Sequence, residues 1–540
     1  MGGFRDVEVP RGQFVLWSHS LDDAVAAEHP VRLFDQLLRS QAFEPVFADW
    51  RRQYVLVDGR PAYDPRHLAG LYFYGMLQRI RSSRQLEAAC HNRLDVIWLM
   101  SGQKPDHSTI AGFVARHADQ LKKMFRQTIR VSIDAGLVKL DHVSVDGTRL
   151  EADAGRNSVR GEATLREQLQ QLEASAAEME QQWAQNEAKE TTRWVESAPP
   201  PGESTETRRQ QFRRKQQKLE KALAAIERRR QEAQASGGRE PKAIASTTDP
   251  DARVMPDKQG KSRPGYNGQL AVDATAGVIV AADINDRPED LGQLTPMLQQ
   301  TQDNCGQKPQ ECSADSGYAT GPDLQKLKED GIVGYLPEAR TNSGPARSPT
   351  PEQQRQSEAL AAVAAGQTLS PEQWAALPRT GGKDPRLDKS AFVYEPEKDA
   401  YRCPAGVSLP LLRHSVVQRV GGAADRAQYG QVSACASCVH AGACCSNPAR
   451  GRTINRDQYE TLREEMKQRM QSPQGQERYK LRKQTVEPRF GVMKSALGIR
   501  RLLHRGLAAI RGEFAAMCAV LNIQVLLREW SATSRVLQNR

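Results

Sequence analysis

Three carboxylates in distinctive local settings are the residues best equipped for chemistry in this sequence. Asp146 stands in VSVDGTRLEA, Asp315 in SADSGY and Glu487 in RYKLRKQTVEPRFGVMK. Carboxylate oxygens are hard ligands, and three that meet can hold two Mg2+ ions, or Mn2+. Such ions sit roughly 3.5–4 Å apart, bridged by one carboxylate, and serve phosphoryl transfer. The acids lie 169 and 172 positions apart, so only the fold can unite them. The chain holds 65 Asp and Glu, and any one taken singly is more often a cap or a surface residue. Glu487 has the more telling surroundings. Between Glu477 and Gly512 ten Lys and Arg face two acids, in a chain whose formal charge is +11. So local an excess attracts phosphates, where a scattered one would be only a solvated face.

A second cluster is made of thiols. Nine Cys in 540 residues are too sparse for a disulfide scaffold, and five fall within 403–445. Cys403 in YRCPAG, with Cys435, Cys438 and Cys444 in CASCVHAGACC, supplies four thiolates for a tetrahedral Zn2+. One pair alone has the ideal Cys-x2-Cys spacing. Cys445 competes with Cys444, His440 is a weaker substitute, and reduced, unligated thiols are the alternative. Four protein ligands would leave no open position, so the zinc would be structural. Cys90, Cys305, Cys312 and Cys518 read as core residues.

The elements that must position these groups follow from periodicity. Residues 1–137 form a helical domain: Leu68, Leu71, Tyr72, Met76 and Ile80 recur at helical spacing. Pro105–Asp106–His107–Ser108 caps a short helix whose Ile110, Phe113 and Val114 share a face. With Lys122, Lys123 and Arg126 beyond it, this pair of helices fits a helix-turn-helix DNA reader or an ordinary three-helix core. VKLDHVSVD (138–146) alternates as a strand and ends on Asp146. Leu165, Leu169, Leu172, Ala176, Met179 and Trp183 keep coiled-coil spacing, APPPGES (198–204) turns the chain, and Phe212, Leu219, Leu223 and Ile226 resume it. Residues 161–235 are therefore an inserted antiparallel helical hairpin, suited to structure or self-association.

Strands return in GYNGQLAVDATAGVIVAADI (265–284), with a hairpin turn at Ala274–Thr275–Ala276–Gly277. A helix through LGQLTPMLQQTQ precedes the short strand that delivers Asp315, and GIVGYLP (331–337) is one more strand. Residues 341–400 have linker composition, 401–450 form the Cys-rich module, and LAAIRGEFAAMCAVLNIQVLLREW ends the chain as a buried helix. Without the insertions, 138–160, 255–340 and 473–535 spell strand, hairpin, helix, strand, strand and helix. That is a mixed α/β, ribonuclease H-like catalytic core with acids on its first and fourth strands. Pro488 disfavours the α region for Glu487, which predicts a helix junction or kink there.

Length allows about three or four folding units, and an apolar share of 39% permits a core. Runs such as GVIVAA (277–282) are too short to span a membrane, and the N-terminus lacks a secretory pattern. A cytoplasmic, nucleoid-associated protein is expected.

These motifs, in this order, resemble the bacterial insertion-sequence transposases with an Asp-Asp-Glu active site, in the group carrying a Tyr-Arg-Glu-Lys signature. YDPRHLAGLYFYGMLQRIRSSRQLE, PDHSTIAGFVARH, VSVDGTRLEADA, PGYNGQLAVD, SADSGY and VEPRFGVMK carry the likeness. It implies that Asp146, Asp315 and Glu487 are the metal ligands, and that Tyr479, Arg482 and Lys494 complete the signature. The spacing from Arg482 to Glu487 is one residue longer than the commonest form, so Arg482 or Lys483 would contact phosphate. Arg505 is a further candidate DNA contact. The resemblance also implies a structural zinc, with Cys444 favoured over Cys445. It implies double-stranded DNA as partner, at least a homodimer, and two-metal hydrolysis followed by strand transfer without a covalent intermediate. A nuclease of the same fold, or a non-catalytic DNA-binding regulator, would share many of these features.

Overall fold

The computed structural model describes residues 20–54, 61–190, 205–235, 240–256, 260–337, 351–381, 384–419 and 422–538. The first 19 residues, the expected turn at 198–204 and residues 341–350 lie outside them. Between Pro30 and Asp134 the described residues are mostly helical, in seven helices. Asp106 caps His107–Arg116 as its sequence setting requires, accepting a bond from the Thr109 N–H. Ile110, Phe113 and Val114 face inward, and the Phe113 ring stacks on Trp50 with centroids 5.0 Å apart. One residue, His117, separates this helix from α1 (Ala118–Asp134). α1 buries Leu121, Met124, Phe125 and Ile129, while Lys122 pairs with Asp119 and Lys123 with Asp49.

The central sheet is built from β1 (His142–Glu151), β2 (Ser262–Asp273), β3 (Ile279–Asn285), β4 (Glu311–Ser313) and β5 (Val333–Tyr335), with α4 (Leu294–Cys305) crossing between β3 and β4. Its order is β3-β2-β1-β4-β5: the first three are antiparallel, and β4 and β5 continue in parallel with β1. The short strand Arg253–Pro256 also pairs with β2. This mixed α/β sheet, with acids at its first and fourth strands, agrees with the ribonuclease H-like expectation. β1 begins later and runs further than the pattern VKLDHVSVD suggests. Residues Gly147–Glu151 keep their ladder with β2, opposite Gln269 back to Gly265, so Asp146 sits inside the strand. The β2–β3 turn falls where expected. Asp273 fastens it by accepting from the N–H groups of Leu140 and Thr275, and Gly277 takes φ 73°.

The hairpin inserted after β1 consists of α2 (Glu162–Glu190) and α3 (Thr205–Ala235). Leu165 packs with Leu219, Ala222 and Ile226, and Glu162 at the start of α2 meets Arg230 near the end of α3 at 2.8 Å. The two arms are thus antiparallel, as the spacing requires.

Residues 351–457 hold a unit that composition concealed. β6 (Val393–Glu395), β7 (Ala400–Arg402), β8 (Ser408–Arg419), β9 (Gly422–Gly430) and β10 (Thr453–Asp457) form an antiparallel meander. Ala359, Val363, Leu369 and Leu377 of the preceding segment pack with Tyr401, Leu409 and Tyr429. The division drawn at residue 400 runs through this common core, because a few well-spaced apolar residues suffice to dock helices that otherwise read as linker.

Two helices close the chain, α5 (Pro473–Gly491) and α6 (Leu507–Gln538). Leu507–Glu529 is long and apolar enough to cross a membrane by composition, but 83% of its apolar window is buried within the fold. α6 lies between α1 and the open edge of β3. Asn522 accepts from the Ile279 N–H at 2.8 Å and donates to the Ile279 carbonyl at 2.9 Å and to Thr128 Oγ1 at 3.1 Å. Buried Glu513 accepts from the N–H groups of Leu503 and His504 and pairs with Arg81 of the helical domain at 3.3 Å. Gly512 lets α1 approach, since a Cβ there would stand 2.5 Å from Ala118 Cα. Gly512→Ala is therefore expected to destabilise the chain by about 1–3 kcal/mol, measured by urea unfolding. An unchanged midpoint would mean that the two helices part without cost.

Candidate active site

The three acids reach one place from three elements. Asp146 projects from the middle of β1, where its Oδ1 accepts from the Gly147 N–H at 2.9 Å. Asp315 follows β4 and caps the single turn Ser316–Tyr318, accepting from the Gly317 N–H at 2.8 Å. Glu487 belongs to α5. Between them lies the guanidinium of Arg482, also on α5: it is 2.8 Å from Asp146, 3.6 Å from Glu487 and 4.0 Å from Asp315.

Burial differs sharply among them. Asp146 is 14% exposed, against 39% for Asp315 and 46% for Glu487. Desolvation lifts Asp146 to a pKa of about 6, outweighing the opposite pull of Arg482. Arg482 is itself desolvated, yet Asp146 and its other neighbours hold its pKa above the ordinary value. Burial, rather than a lack of neighbouring cations, is what keeps this carboxylate raised beside a guanidinium. Its oxygens and those of Asp315 and Glu487 form a donor set suited to hard divalent cations. Among the described residues no three His, Cys, Asp or Glu side chains are closed into a metal-holding group.

Glu487 corrects the expected junction. α5 runs unbroken through Glu487 and Pro488 to Gly491, and the irregularity comes afterwards as a π turn over Val492–Ala496. Proline removes the N–H that would bond to the Gln484 carbonyl. The helix accommodates that loss, and the wider turn follows one turn later.

The cations expected to meet DNA have varied settings. Arg482 faces the acids, while Lys483 is exposed and has no ion-pair partner among the described residues. Lys494, in the π turn, donates to the Arg149 carbonyl of β1 at 2.9 Å. Arg505 pairs with Asp153 at 2.7 Å. Tyr479 is half-buried, and desolvation raises its hydroxyl pKa although Arg482 pulls the other way.

One carboxylate went unnoticed in the sequence. Asp290 accepts from the side-chain amides of Asn267 at 2.8 Å and Gln269 at 2.6 Å, and the Tyr318 hydroxyl donates to Gln269. A Cβ on Gly147 would come 2.5 Å from Asp290 Oδ1, so the glycine after Asp146 leaves room for this acid. Its only sequence signal is a pair of amide side chains, Asn267 and Gln269, on alternate positions of β2 and buried in the sheet.

The thiols gather apart from the acids. Cys403, Cys435, Cys438, Cys444 and Cys445 line a cavity of about 30 Å³ beside the meander, and the His440 ring stacks on Trp374 at 3.8 Å. Burial raises Cys403 and pushes Cys444 up to about 12.

Three stretches match known families. A transposase domain matches residues 19–116, and two separate models of a transposase DDE domain match 241–377 and 402–527. Asp315 and Glu487 fall inside the latter two, while Asp146 lies outside all three. No curated protein matches the chain.

The raised pKa of Asp146 has a definite sign in stability. The folded state binds this proton more tightly than a free carboxyl with the ordinary value of 3.8. Its stabilising contribution is therefore complete below that value and lost as pH rises through about 6. Unfolding of the wild type and Asp146→Asn, compared from pH 4 to 8 without divalent ions, is expected to show the wild type losing ground to the variant as pH rises. A constant difference would contradict the burial argument.

Proposed function

Because the chain belongs to the insertion-sequence transposases of the DDE type, we propose that it binds the ends of its element and catalyses Mg2+-dependent phosphodiester hydrolysis and strand transfer into target DNA. The observation that carries this reading is the meeting of Asp146, Asp315 and Glu487 around Arg482. These three acids would hold two Mg2+ or Mn2+ ions. Bound there, the ions would supply Lewis-acid activation of the attacking oxygen and charge stabilisation at the leaving oxygen.

The protein's own part is positioning. Asp146 is fixed by the ladder of β1, Asp315 by its bond to the following turn, and Glu487 by a helix that stays regular through Pro488. Arg482 offsets part of their charge, and the exposed Lys483 would meet a backbone phosphate. Hydrolysis at an element end leaves a 3′-hydroxyl, and that hydroxyl attacks a target phosphodiester. Neither step requires a serine or tyrosine nucleophile, so Tyr479 serves packing or DNA contact. Joining two ends calls for at least two copies of the chain, acting in the cytoplasm on nucleoid DNA. Cys403, Cys435, Cys438 and Cys444, which line one cavity, would be the ligands of a structural zinc.

Asp315→Asn is expected to abolish cleavage of end-containing duplex while leaving its binding nearly intact; retained cleavage would remove Asp315 from the mechanism. If the wild type cuts but never joins a cut 3′ end to a second duplex, the protein is a nuclease of the same fold. Elemental analysis of purified protein is expected to find one zinc per chain, lost in Cys438→Ser. A zinc-free, fully folded wild type would leave the thiols as packing residues.

A further inference from the structure

A cleft of about 590 Å³ opens where the second arm of the inserted hairpin meets the catalytic sheet. One wall is α3, contributing Lys218, Lys221 and Arg228; the other holds Thr247, Thr248 and Arg505. Its floor is acidic, but those acids are already engaged. Asp249 accepts from the Tyr266 hydroxyl and the Gly506 N–H, and Asp251 accepts from the Leu507 N–H and pairs with Arg228. Arg505 is paired with Asp153, and Arg228 also meets Asp286. Lys218 and Lys221 are different. Both are exposed, and neither has an ion-pair partner among the described residues.

These lysines belong to a stripe. Arg214, Lys218, Lys221 and Arg228 follow one another at helical intervals down a single side of α3. Fourteen residues at the α-helical rise extend about 21 Å, which matches roughly six nucleotide steps of one strand. The cleft also connects to the strand that carries Asp146. Tyr266, whose hydroxyl holds Asp249, is the ladder partner of Leu150, four residues along β1 from Asp146. That is roughly 13 Å at the strand rise. Lys494 donates to the carbonyl of Arg149, the residue before Leu150.

We propose that this cleft grips the phosphate backbone of the duplex whose phosphodiester is presented to Asp146, Asp315 and Glu487. The hairpin is then a DNA clamp rather than only a spacer or self-association element. The proposal rests on the transposase reading above. Its chemistry is electrostatic: two ammonium groups without an ion-pair partner among the described residues, and the half-buried threonine rim, meet successive phosphate oxygens without reading bases.

The test is the salt dependence of binding to duplex DNA of random sequence, for the full chain and for Lys218→Gln/Lys221→Gln. Each phosphate contact contributes about 0.9 to the slope of log K against log salt, so the double variant should be less steep by about 1.8. It should also bind more weakly, and Lys218→Arg/Lys221→Arg should restore both quantities. The substituted side chains are exposed, and an unchanged circular dichroism spectrum confirms that folding is intact. An unchanged slope and affinity in the glutamine variant, with the wild type binding normally and Asp315→Asn inactive, overturns the clamp and leaves the transposase reading standing. A wild type that binds no duplex overturns both.

Discussion

Three like charges drawn from distant parts of a chain do not assemble by themselves. Two carboxylates at 4 Å repel by about 4 kcal/mol in a partly desolvated setting, and Asp146 bears a desolvation cost as well. The guanidinium of Arg482 makes the arrangement tolerable, touching Asp146 closely and reaching both Glu487 and Asp315. Its position on α5, the helix that supplies Glu487, means that docking one element delivers both the third acid and its counter-charge. Burial nevertheless keeps Asp146 raised despite that guanidinium.

The scaffold around that pocket is indifferent to what hangs between its strands. Closing a long loop costs only slightly more than closing a short one, so a helical hairpin and a second sheet interrupt the core without disturbing its register. What the core does require is cover. α6 satisfies the backbone of Ile279 through Asn522, and α1 reaches the same asparagine through Thr128. The N-terminal helices are thus built into the catalytic unit. Lys122 and Lys123 are tied to acids of their own domain, while the inner face of α1 is spent on packing.

The three carboxylates stand out in the sequence because Asp146 closes an alternating run, Asp315 follows another and Glu487 lies in a cation-rich stretch, and those patterns are local. The β2–β3 hairpin, α4 and the antiparallel arms were legible for the same reason. Tertiary facts were not. Nothing in VKLDHVSVD announces that pairing continues to Glu151, since GTRLE alternates only weakly and is held by its partner strand. Pro488 suggested a break, but a helix fixed by packing on both sides of the residue overrides one missing bond. The core shared by Ala359, Val363 and Tyr401 was hidden by sparse apolar residues, and Asp290 by the fact that its amide partners are distant in sequence. The Arg482 side chain was assigned to phosphate from its place in a signature; its direction toward the acids depends on where β1 lies.

The wide separation of the acids also fixes an order of events during synthesis. Asp146 and Asp315 can approach only once β1 and β4 have both been made and paired, opposite His142 and Glu311. The last acid and its guanidinium lie on α5, well beyond both strands. A ribosome-bound fragment ending before α5 therefore carries an exposed pair of aspartates with neither partner, and the covering helix is later still. The nascent polypeptide thus lacks its third acid and its counter-charge until α5 has emerged and docked.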